Sequence, residues 1–127
     1  MGPIPSDVKD FLYANIDSVD QLEVLRVVVS DPQKEHSALS LTQELQISPQ
    51  AVEAHVNALA ARGLLAITNQ QPLTCKNGPQ SQELEAGVQE LVRTYVERPV
   101  SLIKMVYERP KEQIKTFADA FRLKKEK

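Results

Sequence analysis

The 127-residue sequence lacks the features of cross-linked and membrane-spanning proteins. Cys75 is its only cysteine, so it cannot close an intrachain disulfide or supply a zinc cluster. No apolar run approaches the ~18 residues that cross a bilayer, and the first residues lack the basic and apolar regions of a signal peptide. We therefore expect a cytoplasmic protein without a membrane partner.

The sequence also lacks the groups that enzymes use. It contains no nucleophile with a plausible base, no phosphate-binding glycine loop and no paired acids in a glycine-rich turn. His36 has no cysteine or histidine at metal-ligand spacing, and Cys75 on a predicted strand is typical of a small buried residue rather than a redox switch. We expect no enzymatic activity, no metal and no other cofactor.

The residues that are present indicate one small domain with an uneven charge distribution. Apolar residues make up 42% of the chain and charged residues 25%. Residues 1–62 hold four Lys/Arg against nine Asp/Glu, whereas residues 99–127 hold eight against four. The basic end is either a solvated face or a docking element for the acidic front half of another subunit.

Capping signals divide the front half into helices. Ser18 and Gln21 stand in capping-box register before a strongly apolar stretch that ends before Pro32. The next helix begins at Ser37 or, as an alternative, at Ser40. A polar loop is expected between them, over residues 33–36.

A third helix is predicted from Pro49 to Arg62. Ser48 is suited to be its N-cap, Pro49 suits the first helical position, and Gly63 is a suitable C-terminal stop. Its apolar stripe consists of Val52, Val56 and Leu59. Two short β-compatible stretches, residues 64–68 and 73–75, then predict a small hairpin.

From Ser81 the apolar residues follow alternating steps of four and three, which predicts a coiled-coil seam. Pro99 either kinks this helix or splits it into two, and the kinked rod is the favoured alternative. The seam either packs on its own domain or pairs with a second copy. We favour a homodimer, because the helix is longer than the surface that a small domain can cover. The predicted dimerisation residues are Leu84, Val88, Leu91, Tyr95, Arg98, Leu102 and Val106.

The order helix, helix, turn, helix, hairpin is that of the winged helix-turn-helix, and residues 37–67 carry its pattern. The spacing Leu41-x-x-x-Leu45-x-Ile47-Ser48-Pro49-x-x-Val52-x-x-His55-Val56-x-x-Leu59-x-x-x-Gly63-Leu64-Leu65 resembles that of the MarR and ArsR groups of bacterial regulators. Residues 117–123 resemble the end of a small group of uncharacterised bacterial proteins of similar plan. The expected fold is mainly α with a small β-hairpin: a winged helix-turn-helix domain over 1–80 and a C-terminal helical dimerisation extension over 81–127.

The resemblance implies that the third helix lies in the DNA major groove. Gln50, Glu53, Ala54 and Asn57 would then read base edges, and His55 resembles a histidine that such regulators often place in this helix. The sequence departs from the family at the acidic Glu53, and Gln46 replaces the usual turn glycine.

Charge weakens the case for DNA. The third helix and the hairpin offer only Arg62 and Lys76 as phosphate-binding cations, which places affinity near the weak end of the non-specific range, about 10⁻⁴ M. Two hypotheses follow. The first is a DNA-binding transcriptional regulator whose contact is weak or assisted by the basic end. The alternative is a winged-helix protein-protein interaction module that does not bind DNA.

Overall fold

The structure is a computed structural model that describes residues 4–108, and this part of the chain is mainly helical with a small antiparallel sheet. The prediction of a mainly α fold is confirmed. Its elements in chain order are α1 (Ser6–Asn15), α2 (Val19–Ser30), β1 (His36–Ser37), α3 (Ala38–Leu45), α4 (Pro49–Ala61), β2 (Leu65–Gln70), β3 (Leu73–Asn77), α5 (Gln82–Glu97) and α6 (Pro99–Tyr107).

Serine side chains cap four of these helices. Ser18, Ser37, Ser48 and Ser81 each accept a hydrogen bond from the backbone N–H three residues later, at 3.2, 3.0, 3.1 and 3.1 Å. Each cap satisfies an N–H group that has no partner within its helix. The caps of α2 and α4 match the predictions, and the N-terminus of α3 lies at Ser37 rather than at the alternative Ser40.

The turn between α3 and α4 brings two helices together at a fixed angle. Gln46 adopts a left-handed conformation with φ of 61°, which ends α3 at the position where glycine is usual. Pro49 occupies the first turn of α4, where its missing N–H costs no hydrogen bond. Gly63, with φ of 78°, follows the end of α4 and turns the chain into β2.

The hairpin prediction is confirmed, but the sheet has a third strand that was not predicted from the sequence. The strand order is β1-β3-β2, and His36 in β1 stands opposite Cys75 in β3. His36 was expected in a polar loop; it is instead buried, with Nε2 3.3 Å from the carbonyl oxygen of Asp31. A two-residue strand is too short to show a periodic pattern, which explains the error. Cys75 is a buried residue, as expected, and burial raises the pKa of its thiol to about 11.

One hydrophobic core joins the winged-helix elements to the last two helices. The chain breaks at Arg98, whose φ and ψ of −137° and 63° lie outside the helical region, so Pro99 splits the predicted rod into α5 and α6. The alternative of two helices is therefore the one observed, and the kinked rod was wrong. Α5 contacts α1 and α2, and the side chains of both α5 and α6 enter the core.

This packing reverses the expected direction of the seam. Five of its seven side chains are buried within the single chain, because α5 and α6 turn their apolar stripe toward the domain. This is the alternative in which the seam packs on its own domain, and it was not the one favoured. Leu84 and Arg98 are half-buried. The buried members of the predicted seam are Val88, Leu91, Tyr95, Leu102 and Val106.

The last basic helix expected after Pro110 and the resemblance over residues 117–123 lie outside the described residues. Among residues 4–108, no helix has the length and apolar character required to span a membrane.

Candidate nucleic-acid interface

One face of α4 is exposed along its whole length. Gln50, Glu53, Ala54 and Asn57 follow steps of three and four residues and therefore share one side of the helix, and all four are exposed. Val52, Val56 and Leu59 on the other side are 0% exposed. The burial of these residues confirms the predicted division of this helix into a buried stripe and an outward face. Contact with DNA stays a prediction.

The outward face offers hydrogen-bonding groups but no positive charge. Asn57 Nδ2 donates to the carbonyl oxygen of Glu53 at 2.9 Å, which holds its side chain along the helix. The side chain of Gln50 is exposed in the first turn of α4, near backbone N–H groups that have no acceptor within the helix. Amide side chains suit adenine edges, whereas the carboxylate of Glu53 can only accept and is typical of contacts to the amino group of cytosine.

The hairpin stands beside this face and encloses a cleft with it. The cleft has a volume of about 270 Å³ and is shared by α3, the N-terminal part of α4 and the tip of the hairpin. Leu39, at 66% exposure, is a large apolar side chain at its edge. The cleft is also lined by Thr42, Pro49, Glu53, Gln71 and Pro72.

Leu39 and the hairpin tip were missed as site residues. Ala38, Leu41 and Leu45 follow helical spacing in the sequence of α3, and Leu39 falls outside that stripe, which is a usable signal of exposure. Nothing in the sequence placed residues 71 and 72 beside α4, since that proximity arises from the packing of the hairpin.

Arg62 is not available to a phosphate, contrary to the prediction from the sequence. Its Nη2 lies 2.9 Å from Oδ2 of Asp17, and its Nη1 donates to Gln21 Oε1 at 3.0 Å and also to the carbonyl oxygen of Asn15. These contacts turn the guanidinium toward the loop between α1 and α2. The expectation of a free cation at this position is corrected, because three acceptors on the protein already occupy it.

Lys76 is the other predicted cation. It lies on β3 opposite Ala66, is half-buried, and makes no salt bridge within residues 4–108. The ammonium of Lys76 is thus available to an anion at the side of the hairpin, while α4 itself carries no unpaired cation.

His55 lies at the edge of a buried polar cluster. Gln21, only 2% exposed, has its Nε2 3.5 Å from His55 Nδ1 and accepts at Oε1 from the backbone N–H of Asp17 at 2.9 Å. His55 therefore contacts α2 and does not belong to the outward face of α4. In the part of the chain that the structure describes, no group of three or more His, Cys, Asp or Glu side chains is placed to hold a metal ion.

Helices α2, α3 and α4, the turn at residues 46–48 and the following hairpin together form a winged helix-turn-helix, which confirms the predicted fold. The solved structures that share this fold include the following two. The chain is similar to HlyU from Vibrio cholerae N16961, with 23% identity and a TM-score of 0.53 over 72% of this chain and 95% of that one. It is also similar to the multiple antibiotic-resistance repressor MarR from Listeria monocytogenes 4b F2365, with 21% identity and a TM-score of 0.52 over 95% of this chain and 78% of that one.

No family model matches the sequence, and no curated protein sequence matches it. At these identities the two structural neighbours establish the fold.

Proposed function

We propose that this protein is a winged-helix transcriptional regulator that binds double-stranded DNA through α4, with help from its basic end. The observation that carries the proposal is the exposed face of α4 at residues 50, 53, 54 and 57, with the hairpin at its side. A helix presented in this way fits the major groove, and a hairpin beside it reaches the flanking backbone. The similarity to a protein described as a repressor supports the same class.

The distribution of cations explains why the basic end enters the proposal. Protein–DNA affinity depends largely on the neutralisation of phosphates by Lys and Arg. The described interface contributes Lys76, whereas Arg62 is held by Asp17. Residues 109–127 contain seven Lys/Arg against three Asp/Glu, which would supply the missing charge. The proposal includes neither a catalytic step nor a cofactor, and it places the protein in the cytoplasm with the chromosome.

Fluorescence anisotropy with a labelled random duplex, measured over a series of salt concentrations, tests this function. We expect binding tighter than micromolar at low salt, with an affinity that falls steeply as salt rises. The double variant Lys124→Glu plus Lys125→Glu should weaken binding strongly. Lys9→Glu plus Lys34→Glu, which changes the net charge equally in the acidic front half, is the matched control and should weaken it less. Absence of binding at every salt concentration would exclude the DNA-binding function.

The contribution of α4 needs a separate variant. Glu53→Gln keeps the size of the side chain and removes a negative charge from the outward face, so it should tighten duplex binding at low salt. Glu35→Gln changes an exposed acid outside α4 and serves as its control. Equal effects of the two changes would show that only net charge matters and that α4 does not approach the duplex.

We also propose a homodimer, formed through the outer side of α5 and α6 rather than through the buried seam. Val96, Val100 and Tyr107 are 64%, 75% and 78% exposed, which is unusual for large apolar side chains so close together in sequence. Sedimentation equilibrium at several concentrations should give a dimer that Val100→Asp converts to monomer and Leu39→Asp does not. Leu91→Asp is unsuitable for this test because Leu91 is fully buried. A wild-type protein that is monomeric at all concentrations would contradict the proposal.

One observation favours the alternative of a protein-protein interaction module. The cleft beside α4 has an exposed leucine at its edge, contains two prolines, and lacks a cation among its lining residues. Such a surface suits an apolar peptide better than a phosphate backbone. A folded protein that fails to bind duplex in the anisotropy series would support this second function.

A further inference from the structure

A groove lies between α2 and the C-terminal turn of α3, away from the outward face of α4. Its volume is about 410 Å³. Leu45 and Ile47 contribute a partly exposed apolar side, and Asp20, Glu23, Arg26 and Glu44 contribute the charged groups. A groove that combines apolar contact area with carboxylates suits a segment that has both apolar and basic side chains.

The carboxylates of this groove differ in their partners. Glu23 is paired with Arg26 at 2.8 Å and accepts a hydrogen bond from the hydroxyl of Tyr95. Asp20 and Glu44, in contrast, make no salt bridge to any residue between 4 and 108. The groove therefore keeps a negative charge that no described side chain neutralises.

The described part of the chain ends beside the same groove. Val106 and Tyr107, at the C-terminal end of α6, line a depression of about 240 Å³ together with Val19 and Asp20. Asp20 also lines the groove, so the depression and the groove share this side chain. The chain that follows Glu108 thus starts near Asp20, and at up to ~3.3 Å per residue its 19 residues have ample length to reach the groove.

The sequence of these following residues complements the groove. The C-terminal segment, defined here as residues 109–127, has seven Lys/Arg against three Asp/Glu. Its largest apolar residues recur at intervals of three and four positions: Ile114, Phe117 and Phe121. The segment therefore has the cations for Asp20 and Glu44 and the apolar side chains for Leu45 and Ile47.

We infer that the C-terminal segment docks in cis on the groove between α2 and α3, with its lysines on Asp20 and Glu44 and its apolar residues on Leu45 and Ile47. If the proposed function holds, this docking regulates it, because the same lysines cannot lie on the groove and on DNA phosphates together. The duplex and the groove then compete for one segment, and free DNA-binding charge becomes available only when the segment leaves the groove.

Zero-length carbodiimide cross-linking of the intact protein tests the inference without nucleic acid. The reagent joins carboxylates to amines that are in salt-bridge contact, and mass spectrometry identifies the joined peptides. We expect links from Asp20 or Glu44 to Lys111, Lys115, Lys124 or Lys125 within the monomer band. A mixture of ¹⁴N and ¹⁵N protein distinguishes links within one chain from links between copies. Links that are formed only between copies would overturn docking in cis.

Two further variants test the apolar half of the inference. Phe117→Ala plus Phe121→Ala leaves every lysine in place and should cause loss of most of the Asp20 and Glu44 links, whereas Thr116→Ala should not. Links of the segment to Glu53 and Glu83 at equal yield would show non-specific attraction to exposed acids and would also overturn the inference. Since the cross-linking assay contains no DNA, the docking inference can fail in it while duplex binding succeeds in the anisotropy assay. If duplex and groove compete for the segment, adding duplex should lower the yield of groove links.

Discussion

Arg62 and Gln21 connect the end of α4 to the first turn of α2: Nη1 of Arg62 donates to Oε1 of Gln21 at 3.0 Å. The same oxygen accepts from the backbone N–H of Asp17, and the Nε2 of Gln21 faces His55. The buried amide of Gln21 thus contacts the loop after α1 at Asp17, and it contacts α4 at His55 and the chain at Arg62, which follows the end of α4. The orientation of α4, and with it the proposed DNA-facing surface, depends in part on this side chain.

The first prediction is that Gln21→Leu lowers the free energy of unfolding by about 1–3 kcal/mol, because Arg62 and the backbone of Asp17 lose an acceptor in a buried position. Urea denaturation at neutral pH measures the change. Gln89→Leu, the same substitution at an exposed site on α5, should stay within about 0.5 kcal/mol of wild type. Equal effects of the two substitutions would mean that the amide of Gln21 does not hold α4.

The second prediction concerns Tyr95, whose hydroxyl donates to Glu23 on α2. Tyr95→Phe should lower the free energy of unfolding by about 1.5–3 kcal/mol at neutral pH, since the bond is made to a charged acceptor. Tyr107→Phe, at a hydroxyl on a side chain that is 78% exposed, is the control and should have little effect. Urea denaturation at several pH values measures both variants.

The sign of the pH dependence follows from the two pKa shifts. Burial acts to raise the pKa of Glu23, but the hydrogen bonds from Arg26 and Tyr95 and the charge of Arg26 outweigh it and lower the pKa. A carboxyl with a lowered pKa stabilises the fold above its ordinary pKa of about 4.3, and this contribution is lost as the pH falls through the folded value. The difference between wild type and Tyr95→Phe should therefore shrink as the pH falls from 7 to about 3. A constant difference would contradict the bond to an ionised Glu23.

At alkaline pH the stability contribution of Tyr95 depends on pH with the opposite sign. Burial, followed by the hydrogen bond to Glu23 and its charge, raises the pKa of Tyr95. A tyrosine with a raised pKa contributes stability below its ordinary pKa of about 10 and loses that contribution as the pH rises further. Tyr95→Phe should consequently be less sensitive than wild type to pH values above about 10.

The sequence was sufficient for the helix-turn-helix because its signals are local. Ser48 and Pro49 mark the start of α4 within two residues, and the steps between Val52, Val56 and Leu59 identify its buried side. Caps and apolar periodicity need no knowledge of distant residues, so the boundaries of these elements could be predicted closely.

The direction of the last helices could not be predicted in the same way. An apolar stripe on α5 has the same spacing whether it packs on its own domain or on a second copy. The choice depends on contacts such as that between Tyr95 and Glu23, which are 72 positions apart. Whether Arg62 is free or paired likewise depends on Asp17, 45 positions earlier, and the sequence pattern around Arg62 does not indicate this ion pair.

The third prediction concerns the contact between α1 and α5. A methyl group on Gly87 would lie 2.4 Å from Cε1 of Phe11, too close for the ring to remain where it is. Gly87→Ala should therefore destabilise the protein by about 1 kcal/mol or more, although alanine is the better helix former. In a Phe11→Ala background the same change should stabilise by about 1 kcal/mol, because only the helix propensity remains. Stabilisation in both backgrounds would show that the ring does not restrict Gly87.

The fourth prediction concerns the turn that sets the angle between α3 and α4. Gln46 has a left-handed backbone, with φ of 61° and ψ of 40°, a conformation that costs an L-residue about 1–2 kcal/mol and glycine almost nothing. Part of this gain is lost because glycine loses more conformational entropy on folding. The hydrogen bond from Gln46 Nε2 to the carbonyl oxygen of Gln43, at 2.9 Å, is exposed, so its removal costs little. Gln46→Gly should thus raise the free energy of unfolding by about 1 kcal/mol.

The matched control for this substitution is Gln43→Gly, which removes an equally exposed side chain one turn earlier, inside α3. Because glycine within a helix is unfavourable, this variant should lose about 1 kcal/mol, so the two glycine variants should differ in sign. Thermal unfolding followed by circular dichroism measures both. If Gln46→Gly also destabilised the protein, the left-handed turn at residue 46 would not be the source of strain, and the angle that presents α4 would have to be fixed by packing alone.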